Sequence, residues 1–287
     1  MCRMLGITNF NWKEHKEIIE NFFALARVGK TLRGDPRGHL DGWGIGYYKN
    51  GAARLIKSAG SCLEEKTAFF NAVKNAGTSS VLIVHLRKSA WPQTTAKRNA
   101  HPFLIDNNLF AHNGTVRDYQ RLLAHIPPRR RPRASALDSE VLFSYIMNSK
   151  KSDITDKLAA SLEYVRDNCA YSALNTLLTD GKTLMAFRDY TIHAGYYSLF
   201  HAARGGAGIV CSEPVSGKLN PTFALGRENR GERGREFFDE KSESVALSTV
   251  EPFFGRKSPA SLDEFRDPNA KFGLKWSPVP PKVIMCL

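Results

Sequence analysis

The sequence contains no run of about eighteen apolar residues, which excludes a helix able to cross a bilayer. Near its start no basic segment leads into an apolar one, because Lys13, Glu14 and Lys16 arrive early, so the expected compartment is the cytoplasm. Cysteine is sparse and scattered. Cys2, Cys62, Cys169, Cys211 and Cys286 form no C-x-x-C pair and have no histidine at zinc-ligand spacing, so neither a disulfide scaffold nor a structural metal is expected. Also missing are the G-x-S-x-G elbow of a serine hydrolase, the H-E-x-x-H of a metallohydrolase and a P-loop. The glycines of DGWGIGYY at 41–48 do not make a dinucleotide site, which needs G-x-G-x-x-G opening a helix. Here the stretch continues as strand, and close backbone packing is the expected reason for its glycines.

What is present describes an ordinary globular chain. Its 287 residues are 42% hydrophobic and 24% charged, enough for a sizeable core in one large domain or two small ones. A formal net charge of +13 is compatible with nucleic acid, an anionic substrate or simple solubility. The densest basic run, PPRRRPR at 127–133, is broken by prolines and holds no aromatic residue on which a base could stack. It reads as a solvated loop, which argues against nucleic acid as a partner.

Periodicity then places the elements. Residues 2–8 read as a strand, and 13–26 as an amphipathic helix with Ile18, Ile19, Phe22, Phe23 and Leu25 at helical spacing. Two strand-like runs flank Asn50-Gly51, a strong hairpin signal. Residues 62–76 look helical, VLIVHL at 81–86 reads as a strand buried on both faces, and 87–107 reads as loop. NLFAHNGTV at 108–116 returns as a strand ending in a turn at Asn113-Gly114. Helices are expected at 117–125, 138–149 and 153–168. Further strands follow at 172–180 and 182–189 around Asp180-Gly181, at 206–212, at 245–250 and at 282–287, while 214–241 reads as a charged insertion or long loop. The class implied is α+β, or layered α/β/β/α, with mainly antiparallel sheets.

Five positions carry chemistry. Removal of Met1, which a small second residue permits, would put the Cys2 thiol and a free α-amine on one residue. An α-amino group titrates near 7.7–8.0, so it can serve as the base that activates this nucleophile. Arg87, directly after a buried strand, is either a rim charge or a fork that grips a carboxylate. Asn113 and Gly114 are either a turn or donors of the kind that stabilise an oxyanion. Asp138 is either a helix cap or the partner of a substrate ammonium. Together they suit attack on the side-chain amide of an amino acid such as glutamine.

Met-Cys at the start, HLR followed by NAHPF, FAHNGT, and DSE at a helix head resemble, in order and spacing, the class II glutamine amidotransferases of the N-terminal nucleophile hydrolase superfamily. The resemblance runs from residue 2 to about residue 150, with the later strands similar to the stand-alone members, a branch that includes proteins resembling γ-glutamyl amidases. It implies a four-layer α/β/β/α sandwich with two mainly antiparallel sheets, formed by a single domain over 2–287. It further implies that Cys2 attacks the amide carbon to form a γ-glutamyl thioester, with Arg87 on the α-carboxylate and Asp138 on the α-ammonium. Asn113 and the Gly114 backbone would form the oxyanion hole, and His101 would be structural support. That mechanism requires no metal or organic cofactor. Two other readings stand beside it: a glutaminase subunit delivering ammonia to a separate synthase, and a non-catalytic protein holding nucleic acid on its basic surface.

Overall fold

Along β1 (Arg3–Asn11) the two-residue period of a strand divides the side chains between two cores. Leu5 and Ile7 pack with α1 (Trp12–Val28) and α2 (Lys66–Ala76), whereas Met4 enters a second core. β4 (Thr78–Leu86) is divided in the same way. Its Leu82, Val84 and Leu86 meet the helices while Val81 and Ile83 join Met4, so the unbroken apolar run reflects burial on both faces. In the computed structural model, which describes residues 2–215 and 274–287, this second core is the gap between two sheets.

The first sheet adds β2 (Trp43–Lys49), β3 (Ala52–Ser58), β9 (Phe200–Arg204), β10 (Ala207–Cys211) and β11 (Ser277–Pro278), in the order β11-β9-β10-β1-β4-β2-β3. The second contains β5 (Phe103–Ile105), β6 (Asn108–Val116), β7 (Tyr171–Thr179), β8 (Leu184–Phe187) and β12 (Ile284–Cys286), in the order β12-β8-β7-β6-β5. Every pairing is antiparallel. Helices α3 (Gln120–Leu123), α4 (Asp138–Met147) and α5 (Ile154–Asn168) cover its outer face over a third core that includes Phe110, Phe143, Leu158 and Leu178. The result is the expected α+β sandwich of four layers, α/β/β/α.

Local chemistry explains where the longer helices begin. Asn11 caps α1 by accepting from Lys13 N–H at 3.0 Å, and Asp153 caps α5 by accepting from Thr155 and Asp156 at 2.8 and 3.2 Å. The hairpin between β2 and β3 turns on Asn50 and Gly51, both left-handed.

Several expectations are corrected. The 87–107 stretch is not all loop, because Phe103–Ile105 pairs with β6 across a tight turn at Asp106 and Asn107. Both turn residues are left-handed, a role usually signalled by glycine that asparagine and aspartate also tolerate. β6 does not turn at Asn113-Gly114 but continues to Val116 with a register irregularity. β9, unanticipated, precedes β10. The charged stretch 214–241 beyond Val215, and the strand expected at 245–250, lie outside the described residues. In the basic run, Arg130 pairs with Asp106 at 2.8 Å and Arg133 with Glu140 at 2.8 Å, so those cations are tied to neighbouring acids. Among the described residues no helix is long and apolar enough to cross a membrane.

Candidate active site

Strand parity brings the first candidates together. Cys2 is in phase with Met4 on β1, and Asn113 is in phase with Ala111 on β6, whose side chains both enter the gap between the sheets. At the end of that gap the Cys2 N–H donates to Asn113 Oδ1 at 3.2 Å, and Asn113 Nδ2 donates to the Cys2 carbonyl at 3.0 Å. One amide therefore holds both polar groups of the Cys2 backbone. Arg3, on the other phase and fully buried, adds a second donor to the Cys2 carbonyl at 2.9 Å. Its guanidinium also bonds the Lys30 carbonyl and pairs with Glu213, under the ring of Tyr196 at 5.3 Å. The half-buried Cys2 thiol donates to the Lys88 carbonyl at 3.6 Å.

Arg87 is only 4% exposed, yet no carboxylate reaches it within ion-pair distance among the described residues. It donates instead to the Asp41 carbonyl at 3.3 Å, Ser89 Oγ at 3.1 Å and Thr94 Oγ1 at 2.9 Å. The Asp41 carboxylate is engaged elsewhere, accepting from Ser89 N–H at 2.7 Å. A buried guanidinium among neutral oxygens is a strong attractor for an anion.

Asp138 does not cap α4. Leu137 occupies the cap with no side-chain bond, and Asp138, one residue inside, accepts from Val116 N–H at 2.8 Å. Its carboxylate thus ties the start of α4 to the end of β6. Gly114 is a glycine because β6 and β7 approach so closely that a Cβ there would lie 1.8 Å from the Ala173 carbonyl oxygen. Gly44 meets the same constraint, with the His101 carbonyl 2.1 Å from the corresponding position, which packs the NAHPF segment onto β2.

His101 forms no hydrogen bond to these groups among the described residues. Its ring is 4.5 Å from that of His85, both are buried, and burial holds both well below the usual imidazole range. His112 accepts at Nδ1 from Ser139 Oγ at 2.9 Å, because its Nε2 must donate to the Ala173 carbonyl at 3.2 Å. Burial also pushes the thiols of Cys62 and Cys211 up to about 12 and raises that of Cys169, leaving them poor nucleophiles.

Sequence reasoning missed two polar groups. Arg3 reads as an ordinary strand residue, and only the tertiary structure shows it gripping Cys2. Asn175 is the cross-strand partner of Asn113 and is fully buried. Its Oδ1 accepts from Asp189 N–H at 3.2 Å while its Nδ2 has no partner among the described residues. A polar residue within the apolar SALNTLL was the available signal.

Beside these groups opens a cavity of about 1120 Å³, whose lining includes Asp41, Lys88, Ser89, Thr94, Thr115 and Asp138. Cys2 and Arg87 reach its wall through Lys88 and through Ser89 and Thr94 respectively. A second cavity of about 1100 Å³ lies at the far end of β1, around Asn9, Asn50, Gly77 and Gly206, and its lining contains neither cysteine nor histidine.

The family model of the class-II glutamine amidotransferases matches residues 1–200. An uncharacterized protein of Methanocaldococcus jannaschii is 32% identical over 203 residues, covering 66% of this chain and 51% of that one. The Escherichia coli protein YafJ, whose name assigns it provisionally to the glutamine amidotransferases, is 26% identical over 205 residues, covering 67% and 75%. The chain therefore spans about half the length of the archaeal relative. Among solved structures, the glutamine phosphoribosylpyrophosphate amidotransferase of B. subtilis, complexed with ADP and GMP, superposes with a TM-score of 0.55 at 19% identity. That match covers 74% of this chain and 42% of the other. A glutamine aminotransferase class-II domain protein from Silicibacter pomeroyi gives 0.50 at 20% identity, covering 75% and 89%. At these identities the structural likeness speaks for the fold.

Proposed function

The chain belongs to the class II glutamine amidotransferases, and from that premise we propose that it is a cysteine-nucleophile amidohydrolase acting on glutamine or a γ-glutamyl amide. The observation that carries this reading is the two-point grip of Asn113 on the backbone of Cys2. Once Met1 is removed, the nitrogen now bonded to Asn113 Oδ1 becomes the α-amine, oriented beside its own thiol.

The steps then assign themselves to residues. The α-amine takes the thiol proton as sulfur attacks the side-chain amide carbon, and the carbonyl π electrons move onto oxygen. Asn113 Nδ2 has two protons and spends one on the Cys2 carbonyl, leaving the other for the developing oxyanion beside the Gly114 backbone. Collapse breaks the carbon–nitrogen bond, the leaving amine takes the proton from the α-ammonium, and a γ-glutamyl thioester remains. Water attacks that carbon, the α-amine accepts its proton, and the carbon–sulfur bond breaks to release glutamate and the thiol. Arg87 supplies the positive charge for the substrate α-carboxylate, and Asp138 the negative charge for its α-ammonium. Nothing in this sequence of steps calls for a metal ion.

The test is intact mass before and after 6-diazo-5-oxo-norleucine, with peptide mapping. Loss of Met1 and a single adduct on Cys2, together with glutamine hydrolysis abolished in Cys2→Ala, is the expected result. An active Cys2→Ala protein overturns the reading.

A further inference from the structure

The cavity is larger and more apolar than glutamine hydrolysis requires. Its volume of about 1120 Å³ lies just above the roughly 300–1,000 Å³ that accommodates drug-sized ligands, and glutamine is much smaller than those. The polar groups that would hold an α-amino acid, Asp138 and the Ser89 and Thr94 hydroxyls on Arg87, account for part of its wall. Ammonia, the leaving group from glutamine, would fill none of the remainder.

Part of that remainder is apolar, beside the polar and charged side chains of Asp35, Arg37, Gln93 and Arg117. Among the described residues only five large apolar side chains are exposed: Val28, Leu40, Trp91, Leu104 and Ile192. Three of them, Leu40, Trp91 and Ile192, line this one cavity, with exposures of 40%, 50% and 45%. They come from three separate connections, following α1, β4 and β8, so no single strand or helix accounts for their meeting here. Isolated exposed apolar residues need no explanation, but their convergence on a cavity marks a binding surface. The same tryptophan is tied to the carboxylate end of the site, since its carbonyl accepts from Ser89 Oγ at 2.7 Å and from Thr94 Oγ1 at 2.7 Å, the two hydroxyls that receive Arg87. The apolar wall is therefore continuous with the residues assigned to the substrate's α-carbon.

Resting on the amidohydrolase reading above, we propose that Leu40, Trp91 and Ile192 form a subsite for a bulky apolar leaving amine, so that the preferred substrates are γ-glutamyl amides of aryl or aralkyl amines rather than glutamine. The subsite binds the amine portion in the Michaelis complex, so its effect falls mainly on KM. Burying one phenyl ring against such a wall is worth on the order of tenfold or more in kcat/KM.

The experiment uses Met1-processed protein, verified by mass, with glutamine, γ-glutamyl ethylamide and γ-glutamyl phenethylamide. The two amines have similar basicity, so leaving-group chemistry is matched and only the ring differs. The expected result is a kcat/KM at least tenfold higher for the phenethylamide than for the ethylamide, expressed in KM, with that ratio reduced at least fivefold in both Trp91→Ala and Ile192→Ser. Equal kcat/KM for the two amides overturns the subsite while leaving the amidohydrolase reading intact. A preference that persists in both variants also overturns it, because the ring is then recognised elsewhere. Hydrolysis of none of the three compounds overturns the amidohydrolase reading and the subsite with it.

Discussion

Asn113 commits both ends of its amide to one residue, and this makes its substitutions separable. Asn113→Asp keeps an acceptor for the Cys2 nitrogen but loses the Nδ2 donor. It is expected to lower kcat for glutamine hydrolysis by about 100- to 1,000-fold, the usual loss for one oxyanion donor. Circular dichroism should show the fold retained, and a kcat within twofold of the parent would remove Asn113 from the oxyanion site. Arg87 predicts a different signature. Lysine preserves the charge but not the planar fork, so Arg87→Lys should raise KM for glutamine by about tenfold while kcat changes less, as expected where substrate and transition state lose the same contact. A fall in kcat at constant KM would place Arg87 outside carboxylate binding. The cysteines differ by burial: with Cys62 and Cys211 pushed up to about 12, brief iodoacetamide treatment at pH 7.5 should label Cys2 and spare both. Peptide mapping reads this directly, and modification of Cys211 before Cys2 would contradict it.

Among the elements, β6 and β7 depend on a contact that tolerates no side chain. A Cβ at Gly114 would lie 1.8 Å from the Ala173 carbonyl, backbone against side chain, so relief requires the strands to separate. Gly114→Ala is expected to cost about 3 kcal/mol, read as a lower urea midpoint at unchanged slope, and to reduce activity because Asn113 moves with the strand. An unchanged midpoint would show that the two strands can part freely. The same segment shows where sequence reading succeeds and where it stops. The double burial of VLIVHL, the helical stripe of Ile18, Ile19 and Phe22, and the Asn50-Gly51 and Asp180-Gly181 hairpins were legible because period and turn chemistry are local. Asn113-Gly114 misled for the same reason: locally it is a turn dipeptide, and only β7 alongside shows that the glycine serves a close approach within a strand. Asp138 was legible as a helix-head acid, yet its hydrogen bond goes to Val116 rather than to its own helix. Arg3 and Asn175 were not legible at all, since the groups that aim Arg3 back at the Cys2 carbonyl, Lys30 and Glu213, lie 27 and 210 residues away, and the partner of Asn175 is set by a cross-strand register that sequence leaves open.

On the scale of the whole molecule, the sandwich buries several imidazoles, and their burial sets a pH limit on the fold. His39, His85 and His101 are all essentially excluded from water. Burial is the first cause of lowering in each. Next comes the charge of Arg3 for His39, which reaches about 3, that of Arg87 for His85, and His85 itself for His101. All three are therefore neutral in the folded protein at pH 7. In the unfolded chain they titrate near 6.5, so below that pH the unfolded state binds more protons and stability falls with pH. Above about 7 both states are neutral and this contribution is flat. The direction is that of depressed histidines: the stability is present above the unfolded value and is lost on acidification, until for His39 the loss ends near 3. Each group contributes at most about 1.4 kcal/mol per pH unit, so the three together approach 4 kcal/mol per unit, against a total of about 5–15 kcal/mol for a typical domain. Urea midpoints should therefore agree at pH 8.0 and 7.5 and drop measurably by pH 5.5. Substituting His101, whose ring lies 4.5 Å from that of His85, by the neutral isostere glutamine should flatten part of that slope even if it lowers the midpoint at pH 8. A midpoint that stays constant from pH 7.5 to 5 would mean that these imidazoles reach water, and their burial would have to be abandoned.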